Sequence, residues 1–365
     1  MNKKKVLHLS QDTGGVKTFV AHILENANVD KFNFVVIAPE NKIFRDFCKD
    51  NNVPYYAVNL LRGLNPFKAV LALRQILKVI RLEKPDLIHA HSAKGGFLGR
   101  LAAKIKNIKV IYTPHAFSYL PFTGVKRVAF FLLELLAKRW TTYLLAISYS
   151  EANRAIYELG FKKSTVKVVL NSIPVNNYPE NRRNKTKIKI RMIGRLTSQK
   201  NHELFLEIAG KLIPKYSNLE FAILGAGIHD DLFPEIHAYL NNNNLTDKVS
   251  IERWGNSATS ERFLAETDIY IMTSVFEGLP FSLLEAMSLG IPCVVTKVDG
   301  NTDVINNNEN GFSCLSANEF AAKIELLINS AELRQQLGRE GYEYVKTNHN
   351  LKINLRQIEN LYDMI

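Results

Sequence analysis

The sequence is poor in cysteine and has no long apolar run. Its 365 residues include three cysteines, Cys48, Cys293 and Cys314, which are far apart and lack the spacing of a metal site. We therefore expect reduced residues in the core of a cytosolic protein. No apolar stretch approaches the roughly 18 residues of a membrane-spanning helix. The N-terminal MNKKKVLHLS is basic, but its apolar run ends at Gln11, which predicts a first strand and not a signal peptide.

Acidic residues are also few relative to basic ones. The chain has 47 Lys and Arg against 35 Asp and Glu, a formal net charge of +12. This excess predicts anionic partners, namely nucleotides, acidic lipid surfaces or nucleic acid. The length is too great for one ordinary α/β domain and suits two, each with its own core.

Short apolar runs alternate with helix-period segments along the chain, a pattern typical of doubly wound, mainly parallel α/β sheets. Ligands of such sheets collect beyond the carboxyl ends of the strands. A polar, proline-containing stretch at 171–187 has the composition of a linker and separates two sets of runs. The predicted strands are 6–9, 34–38, 87–89, 110–112, 144–147 and 166–170 in the first set, and 188–193, 220–224, 249–253, 269–272, 293–296 and 312–315 in the second.

The stretch 274–290, SVFEGLPFSLLEAMSLG, joins a predicted strand to a predicted helix. Pro280 stands where the first helical turn should begin, a position that proline favours. Such a junction directs unpaired backbone N–H groups and the positive end of a helix dipole at one spot, which suits an anion such as phosphate. Glu277 and Glu285, with seven residues between them, would bracket this anion site.

This spacing, within EGLPFSLLEAMSLGIPCVV, resembles the E-x7-E signature of retaining glycosyltransferases of family 4. A second motif agrees, because GRLTSQKN at 194–201 is similar to the family's GRLxxxKN. The resemblance implies the GT-B fold, two Rossmann-like domains facing across a cleft. The expected parts are an acceptor-side domain at 1–172, a linker at 173–186, a nucleotide-sugar domain at 187–345, and a C-terminal helix at 346–365 that would cross back to the first domain.

The resemblance also implies donor contacts. Arg195 and Lys200 would hold the pyrophosphate, Arg as a fork and Lys as a compact charge. Glu285 would bond the nucleotide ribose, while Trp254 either stacks on the base or is simply buried. The other implied donor contacts are Gly14, Gly15, Gly194, Glu277, Gly278, Leu279, Pro280 and Phe281.

Catalytic roles are implied for the two cations, for Glu277 and for His115. A cation about 4 Å from the leaving phosphate interacts with it by roughly 4 kcal/mol at an effective dielectric near 20. The strand KVIYTPHAF ends in His115, which by itself is more often a structural residue. The resemblance implies that it contacts a sugar hydroxyl and transfers no proton.

No cofactor and no metal are expected. The sequence contains no Asp-x-Asp, the usual metal-diphosphate motif of the other major glycosyltransferase fold. Gly225 and Gly227 begin like a dinucleotide fingerprint, but Asp230 occupies the third glycine position, which argues against a nicotinamide cofactor.

The segment GVKRVAFFLLELLAKRW at 124–140 has basic flanks, and Glu134 is the one charge within 128–137. A buried helix is the default interpretation. The alternative is a helix resting on an anionic membrane, to which each nearby Lys or Arg adds about 1 kcal/mol.

The hypothesis that follows is a retaining, metal-independent hexosyl- or N-acetylhexosaminyltransferase. It would use a UDP-sugar and the hydroxyl of a lipid-linked oligosaccharide in surface polysaccharide, lipopolysaccharide or capsule assembly. We expect it in the cytoplasm, with peripheral contact to the inner face of the membrane. Alternatives are a nucleotide-sugar epimerase, a catalytically idle membrane scaffold and a basic nucleic-acid-binding protein, although no nucleic-acid-binding motif is present.

Overall fold

The computed structural model describes residues 3–11, 14–60, 66–178, 187–227, 232–255 and 257–365. These residues form two compact units. Unit 1 comprises Met1–Asn171 and Leu351–Ile365, and unit 2 comprises Ser172–Asn350. Most of the predicted linker, 179–186, and Asp230 lie outside the described residues.

Within the described residues, unit 1 contains a seven-stranded parallel sheet in the order β3-β2-β1-β4-β5-β6-β7. Its strands are β1 (Lys4–Leu9), β2 (Phe32–Ala38), β3 (Tyr55–Ala57), β4 (Leu87–His91), β5 (Lys109–Thr113), β6 (Tyr143–Ala146) and β7 (Val166–Val168). Its first six helices are α1 (Gly14–Asn26), α2 (Lys42–Asp50), α3 (Pro66–Glu83), α4 (Ala93–Lys106), α5 (Gly124–Lys138) and α6 (Tyr149–Asn153).

The described part of unit 2 contains a six-stranded parallel sheet in the order β10-β9-β8-β11-β12-β13. Its strands are β8 (Ile188–Ile193), β9 (Leu219–Ala226), β10 (Val249–Arg253), β11 (Ile269–Met272), β12 (Cys293–Thr296) and β13 (Phe312–Cys314). Its helices are α7 (His202–Leu212), α8 (Phe233–Asn242), α9 (Ser257–Ala265), α10 (Phe281–Ser288), α11 (Ala317–Asn329) and α12 (Ala331–Asn348).

The last helix, α13 (Leu351–Asp363), belongs to unit 1. It begins at Leu351 and not at residue 346 as expected, because α12 continues to Asn348. Two observations fix its place in unit 1. The Lys4 ammonium donates to the carbonyl of Tyr362 at 2.7 Å, and the side-chain amide of Asn354 donates to the carbonyl of Leu170 at 3.0 Å.

The strand order reverses once in each sheet. In unit 1 the chain builds outward from β1 to β3 and then restarts at β4 on the other side of β1, so the switch point lies between β1 and β4. In unit 2 the corresponding point lies between β8 and β11. In open α/β sheets, ligands bind beyond the strand ends at such a point. Each unit therefore has one place where a ligand site is expected.

Apolar side chains from both faces of each sheet form the cores. Strands β5, β8, β11 and β12 are almost wholly buried, as parallel strands covered by helices on both sides must be. The three cysteines are free and buried, as the sequence predicted. Among the described helices, none is long and apolar enough to cross a membrane.

Helix α5 departs from the buried helix that was the default expectation. Its one internal charge, Glu134, is 2% exposed, whereas Leu132 is 57% exposed. Glu134 points inward because it forms a buried ion pair. The Arg100 guanidinium of α4 donates to its carboxylate at 2.8 Å. Tyr112 and Ser118 donate to the other carboxylate oxygen at 3.0 and 2.8 Å. The Glu134 side chain of α5 therefore faces the core, and Leu132 is left outside.

Candidate functional site

The switch point of unit 2 is formed first by the loop that follows β8. Gly194 directly follows the last residue of β8, and a short 3-10 turn at Ser198–Lys200 leads into α7. The aliphatic part of Lys200 lies across Gly194, where a Cβ atom would come within 3.0 Å of the Lys200 Cγ. A side chain at this position would therefore require the lysine to shift by a few tenths of an ångström, whereas glycine lets it cross the end of the strand unchanged.

The loop after β11 meets this turn. The Lys200 ammonium forms an ion pair with Glu277, with 2.6 Å between Nζ and Oε1, and the two side chains are 13% and 9% exposed. Two further bonds join the loops. The Val275 amide donates to the carbonyl of Gln199 at 2.8 Å, and the Thr273 hydroxyl donates to the carbonyl of Lys200 at 2.8 Å. The sequence singled out Lys200 and Glu277 but not their pairing.

Arg195 is positioned through its backbone. Its carbonyl accepts a hydrogen bond from His202 Nε2 at 2.9 Å, which assigns the proton of this imidazole to Nε2. His202 is buried, and burial lowers its pKa, with a smaller lowering from the charge of Lys200. A neutral His202 therefore fixes the turn that presents Arg195, whose side chain is half-buried. Sequence reasoning missed His202, although it directly follows the GRLTSQKN motif.

Glu285 lies on the second turn of α10, whose N-cap is Pro280. Burial raises the pKa of its carboxyl to about 7, and the nearby charge of Glu261 adds to this. Within the described residues, no hydrogen bond reaches the Glu285 carboxylate or links it to Glu277. A desolvated carboxylate without donors is suited to accept hydrogen bonds from the hydroxyls of a ligand.

Hydrogen bonds from the loop after β12 support the loop that carries Glu277. The side-chain amide of buried Asn301 donates to the carbonyl of Thr296 at 3.0 Å, and the Thr296 hydroxyl donates to the carbonyl of Ser274 at 2.6 Å. Asp303 accepts a hydrogen bond from the Gly300 amide at 3.0 Å. No sequence motif assigned Asn301 or Asp303 to the site, and the structure shows both of them holding this turn.

Trp254 follows β10 at the same edge of the sheet. Its amide donates to the carbonyl of Ala226 at 2.8 Å, which ties the end of β10 to the end of β9. The indole is half-buried, so part of its surface is accessible. The carboxyl ends of β8, β10 and β11 thus supply Arg195, Lys200, Trp254 and Glu277 to one edge.

The switch point of unit 1 contains the other predicted residues. Gly14 begins α1 with φ of 64°, a conformation that favours glycine, and both Gly14 and Gly15 are exposed. Phe19, farther along α1, packs edge-on against the His115 ring, with 5.0 Å between ring centroids. The structure therefore brings the start of α1 and His115 into one neighbourhood.

The backbone at His115 is unusual. His115 and Ala116 have φ of 53° and 73°, in the left-handed region that non-glycine residues rarely adopt. The buried carboxylate of Glu151 holds this bend, because it accepts hydrogen bonds from the amides of Ala116 and Ile147, each at 2.9 Å. Such strain persists where the surroundings enforce it, often at functional sites.

Three further histidines, His8, His89 and His91, lie fully buried beside His115. Burial lowers the pKa of His8 and of His115 to about 3. It also lowers the pKa of His89 and His91 well below the ordinary value, so the rings are neutral. Sequence reasoning missed these three histidines. The available signal was LIHAH, where two histidines in an apolar strand have the spacing of one sheet face.

Two family models cover the chain almost end to end. The model described as Glycosyltransferase Family 4 matches residues 13–177, and the one described as Glycosyl transferases group 1 matches residues 176–344. The chain is a family 4 glycosyltransferase. The resemblance that its two motifs suggested is confirmed.

Relatives of this glycosyltransferase include a UDP-Gal:alpha-D-GlcNAc-diphosphoundecaprenol alpha-1,3-galactosyltransferase of Escherichia coli, which is 28% identical over 90% of this chain and 88% of the relative. The capsular polysaccharide biosynthesis glycosyltransferase CapM of Staphylococcus aureus is 23% identical over 100% and 98% of the two chains. Anabaena HepE, solved in complex with UDP and glucose, has a TM-score of 0.83 at 18% identity, covering 99% and 100%. This structural similarity confirms the GT-B fold.

Proposed function

We propose that the protein transfers a hexosyl or N-acetylhexosaminyl group from a UDP-sugar to a hydroxyl of a lipid-linked oligosaccharide in surface polysaccharide assembly. The observation that carries this proposal is the Lys200–Glu277 pair at the switch point of unit 2. It places a cation and a carboxylate where a parallel sheet binds its ligand. The names of the relatives support the donor and the pathway.

Arg195 and Lys200 bind the diphosphate of the donor. Glu277 neutralises Lys200, and the incoming phosphate becomes a second partner of the same ammonium. As the glycosidic bond breaks, charge grows on the leaving phosphate. A cation about 4 Å away then gains part of an interaction of roughly 4 kcal/mol, and only the part gained in the transition state accelerates transfer. These two cations supply the positive charge that a metal ion supplies in other transferases. Transfer therefore does not require a metal ion.

The nucleoside and the sugar occupy the rest of the edge. Glu285, desolvated and without a donor among the described residues, accepts hydrogen bonds from the ribose hydroxyls, and Trp254 stacks on the uracil. Glu277 and the backbone of Gly278, Leu279, Pro280 and Phe281 position the sugar and its adjacent phosphate, helped by the start of α10. Gly194 belongs to the same donor site because it allows Lys200 to cross the strand end.

Unit 1 provides contacts that carry no charge. Neutral His115 hydrogen-bonds a hydroxyl of the transferred sugar, and the exposed backbone of Gly14 and Gly15 faces the donor. Transfer proceeds with retention of configuration. The E. coli relative is named for an alpha-1,3 linkage, which retention produces from an alpha-configured nucleotide sugar.

The protein also makes peripheral contact with an anionic membrane through α5. Val125, Val128, Leu132 and Leu136 recur at helical spacing on one face and are 86%, 56%, 57% and 43% exposed. Exposed basic residues, Lys126, Arg127 and Arg139, flank this face. An apolar face with basic flanks suits the interface of an anionic bilayer, where a lipid-linked acceptor is found.

The function is tested by incubating the purified protein with a panel of nucleotide sugars, with and without membranes that contain lipid-linked acceptors. We expect UDP release from one donor, stimulated by membranes, insensitive to a chelator and lowered roughly 100-fold in Arg195→Ala and Lys200→Ala. The anomer of the product, read by NMR, tests retention. If no donor gave UDP release and no nucleotide bound, the proposed transferase activity would be rejected. Turnover that interconverts two nucleotide sugars without an acceptor would establish an epimerase.

The membrane contact is tested by flotation with vesicles that contain phosphatidylglycerol. A Val128→Glu, Leu132→Glu variant should bind more than tenfold more weakly, because it places two carboxylates in the apolar face. Leu326→Glu, at a 49% exposed leucine of α11 in unit 2, is the matched control and should bind as the wild type does. Equal binding by all three proteins would show that α5 is not the contact.

A further inference from the structure

Three of the four histidines at the unit 1 switch point form a continuous hydrogen-bonded chain. His8 on β1 contacts His91 on β4, with 3.0 Å between His8 Nδ1 and His91 Nε2. The other nitrogen of His91, Nδ1, contacts Nε2 of His115 at 3.2 Å. The chain starts in the core at His8 and ends at His115, which keeps part of its surface exposed.

The fourth histidine, His89, lies beside this chain and is not a member of it. Its ring is 4.1 Å from that of His91 between centroids, but both of its nitrogens bond elsewhere. Nδ1 contacts the hydroxyl of Tyr362 on α13 at 2.7 Å, and Nε2 contacts the hydroxyl of Thr113 on β5 at 2.8 Å. His89 therefore offers a neighbouring histidine that shares the burial of the chain but not its connectivity.

The chain can carry its protons in one of two directions. A neutral imidazole has one N–H and one acceptor nitrogen, so fixing one ring fixes the next. If His8 donates from Nδ1, then His91 donates from Nδ1 and the proton of His115 is on Nδ1. In the opposite direction each proton moves to Nε2, and the proton at the start of the chain lies on His8 Nε2.

The surroundings of His8 favour the first direction. His8 Nε2 is buried and has no hydrogen-bond partner within the described residues. A buried N–H without an acceptor is rarer in proteins than an acceptor left without a donor. The second direction would place such an N–H at His8, whereas the first leaves a lone pair there and ends on His115.

We propose that His8 and His91 are positioning residues that hold His115 in the tautomer with its proton on Nδ1, so that His115 offers an N–H to an oxygen of the transferred sugar. This inference rests on the proposed contact between His115 and the sugar. His115 Nε2 is already occupied by His91, and Nδ1 makes no hydrogen bond within the described residues. Burial keeps the pKa of His115 at about 3, so the ring is a donor at neutral pH and not a base.

The same histidines raise the question of a metal. Nitrogens of His8, His89 and His91 lie within 4.8 Å of one another. A cation would have to break the direct His8–His91 bond and take a His89 nitrogen from Tyr362 or Thr113. The hydrogen-bonded chain is therefore the arrangement that the geometry favours, and metal content becomes an outcome of the test.

The tautomer can be read without any substrate. Long-range proton–nitrogen NMR of the full chain, labelled with ¹⁵N-histidine, distinguishes protonated from unprotonated ring nitrogens, and His115→Asn assigns the His115 signals. We expect the His115 proton on Nδ1. His91→Phe should abolish this preference, His91→Gln should preserve it because an amide both accepts and donates, and His89→Phe should leave it unchanged as the matched control.

Activity gives the second readout. In His91→Phe we expect kcat to fall about tenfold, the loss of roughly one hydrogen bond, with KM for the donor changed less than about twofold. His91→Gln should recover most of kcat. A merely structural role would not produce recovery together with a preserved tautomer.

Three results would each overturn the proposal. They are a His115 proton on Nε2 in the wild type, an unchanged preference for Nδ1 in His91→Phe, and a stoichiometric metal ion in the purified protein. If the expected tautomers are found but no nucleotide sugar is turned over, the result supports the hydrogen-bonded chain of imidazoles. It rejects the contact between His115 and the sugar together with the proposed function. The failure of one proposal can thus be told from the failure of the other.

Discussion

Each unit contains an ion pair with little exposure, but the two pairs lie in different places. In unit 2, Lys200 and Glu277 meet at the switch point, beyond the ends of β8 and β11. In unit 1, Arg100 and Glu134 join α4 to α5 and are 0% and 3% exposed, while the switch point is occupied by neutral histidines. Both ion pairs have little exposure, so burial does not distinguish them. The Lys200–Glu277 pair can contact a ligand because it lies at the strand ends, whereas the Arg100–Glu134 pair holds two helices together.

The two switch points also differ in charge, and the difference matches the halves of a nucleotide sugar. Under the proposed function, the ammonium of Lys200 in unit 2 would bind the diphosphate, which carries charge. His115 of unit 1, whose ring is neutral, would bind sugar hydroxyls, which carry none.

The largest expected effect concerns the structural pair. Glu134→Gln leaves the Arg100 charge buried without its counter-ion, so the free energy of unfolding should fall by about 3–5 kcal/mol. Chemical denaturation measures this. Asp46→Ala, which removes an exposed pair with Lys42 in the same unit, is the control and should change stability by less than about 0.5 kcal/mol. A loss below about 1 kcal/mol in Glu134→Gln would contradict a structural role.

The next effect concerns the pair at the switch point. Lys200→Ala should lower kcat/KM roughly 100-fold, because a preorganised charge on the leaving phosphate is lost. Lys211→Ala, which removes a lysine paired with Glu207 on the surface of unit 2, is the control.

A double variant separates catalysis from stability. Lys200→Met with Glu277→Gln leaves no unpaired charge, so its free energy of unfolding should stay within about 1 kcal/mol of the wild type while activity stays low. If the double variant were fully active, the pair at the switch point would be structural, as the pair in unit 1 is.

A smaller effect is expected at Glu285. Its pKa in the folded protein, about 7, lies above that of an unfolded glutamate, so the folded state binds the proton more tightly. Stability contributed by the protonated form is present at low pH and is lost as the pH rises towards 7. Glu285→Gln should therefore raise the free energy of unfolding by roughly 1–3 kcal/mol at pH 8 and by less at pH 5.

The same variant should bind UDP more weakly, because an amide replaces the carboxylate that is proposed to accept hydrogen bonds from the ribose. Glu340→Gln, at an exposed position of α12, is the control for denaturation at both pH values. Equal stability of Glu285→Gln and the wild type at pH 8 would show that the carboxylate carries no desolvation cost.

Most of the fold could be predicted from the sequence because its strands are buried on both faces. Such strands appear as short, nearly continuous apolar runs, and the twelve predicted runs all correspond to strands. The missed strand, β3, has three residues, two half-buried and one exposed, and so leaves no such run. Helix α5 was misjudged because its composition is apolar while its orientation depends on Arg100, 34 residues earlier.

The candidate site was only partly predictable. Motifs identified Lys200 and Glu277 one at a time, but their 77-residue separation hides a bond that exists only after folding. The chain from His8 to His91 spans 83 residues for the same reason. Residue types and spacings report local structure, whereas the partners at a switch point are set by strand order.

A calorimetric titration with UDP shows whether the charged switch point of unit 2 binds the diphosphate. Three proteins are compared: the wild type, Lys200→Ala and His115→Ala. We predict that Kd rises roughly 10- to 100-fold in Lys200→Ala, the loss of a charged hydrogen bond, and less than about twofold in His115→Ala. UDP binding that is unchanged in Lys200→Ala, or lost in His115→Ala, would show that the diphosphate is not bound at the charged switch point of unit 2.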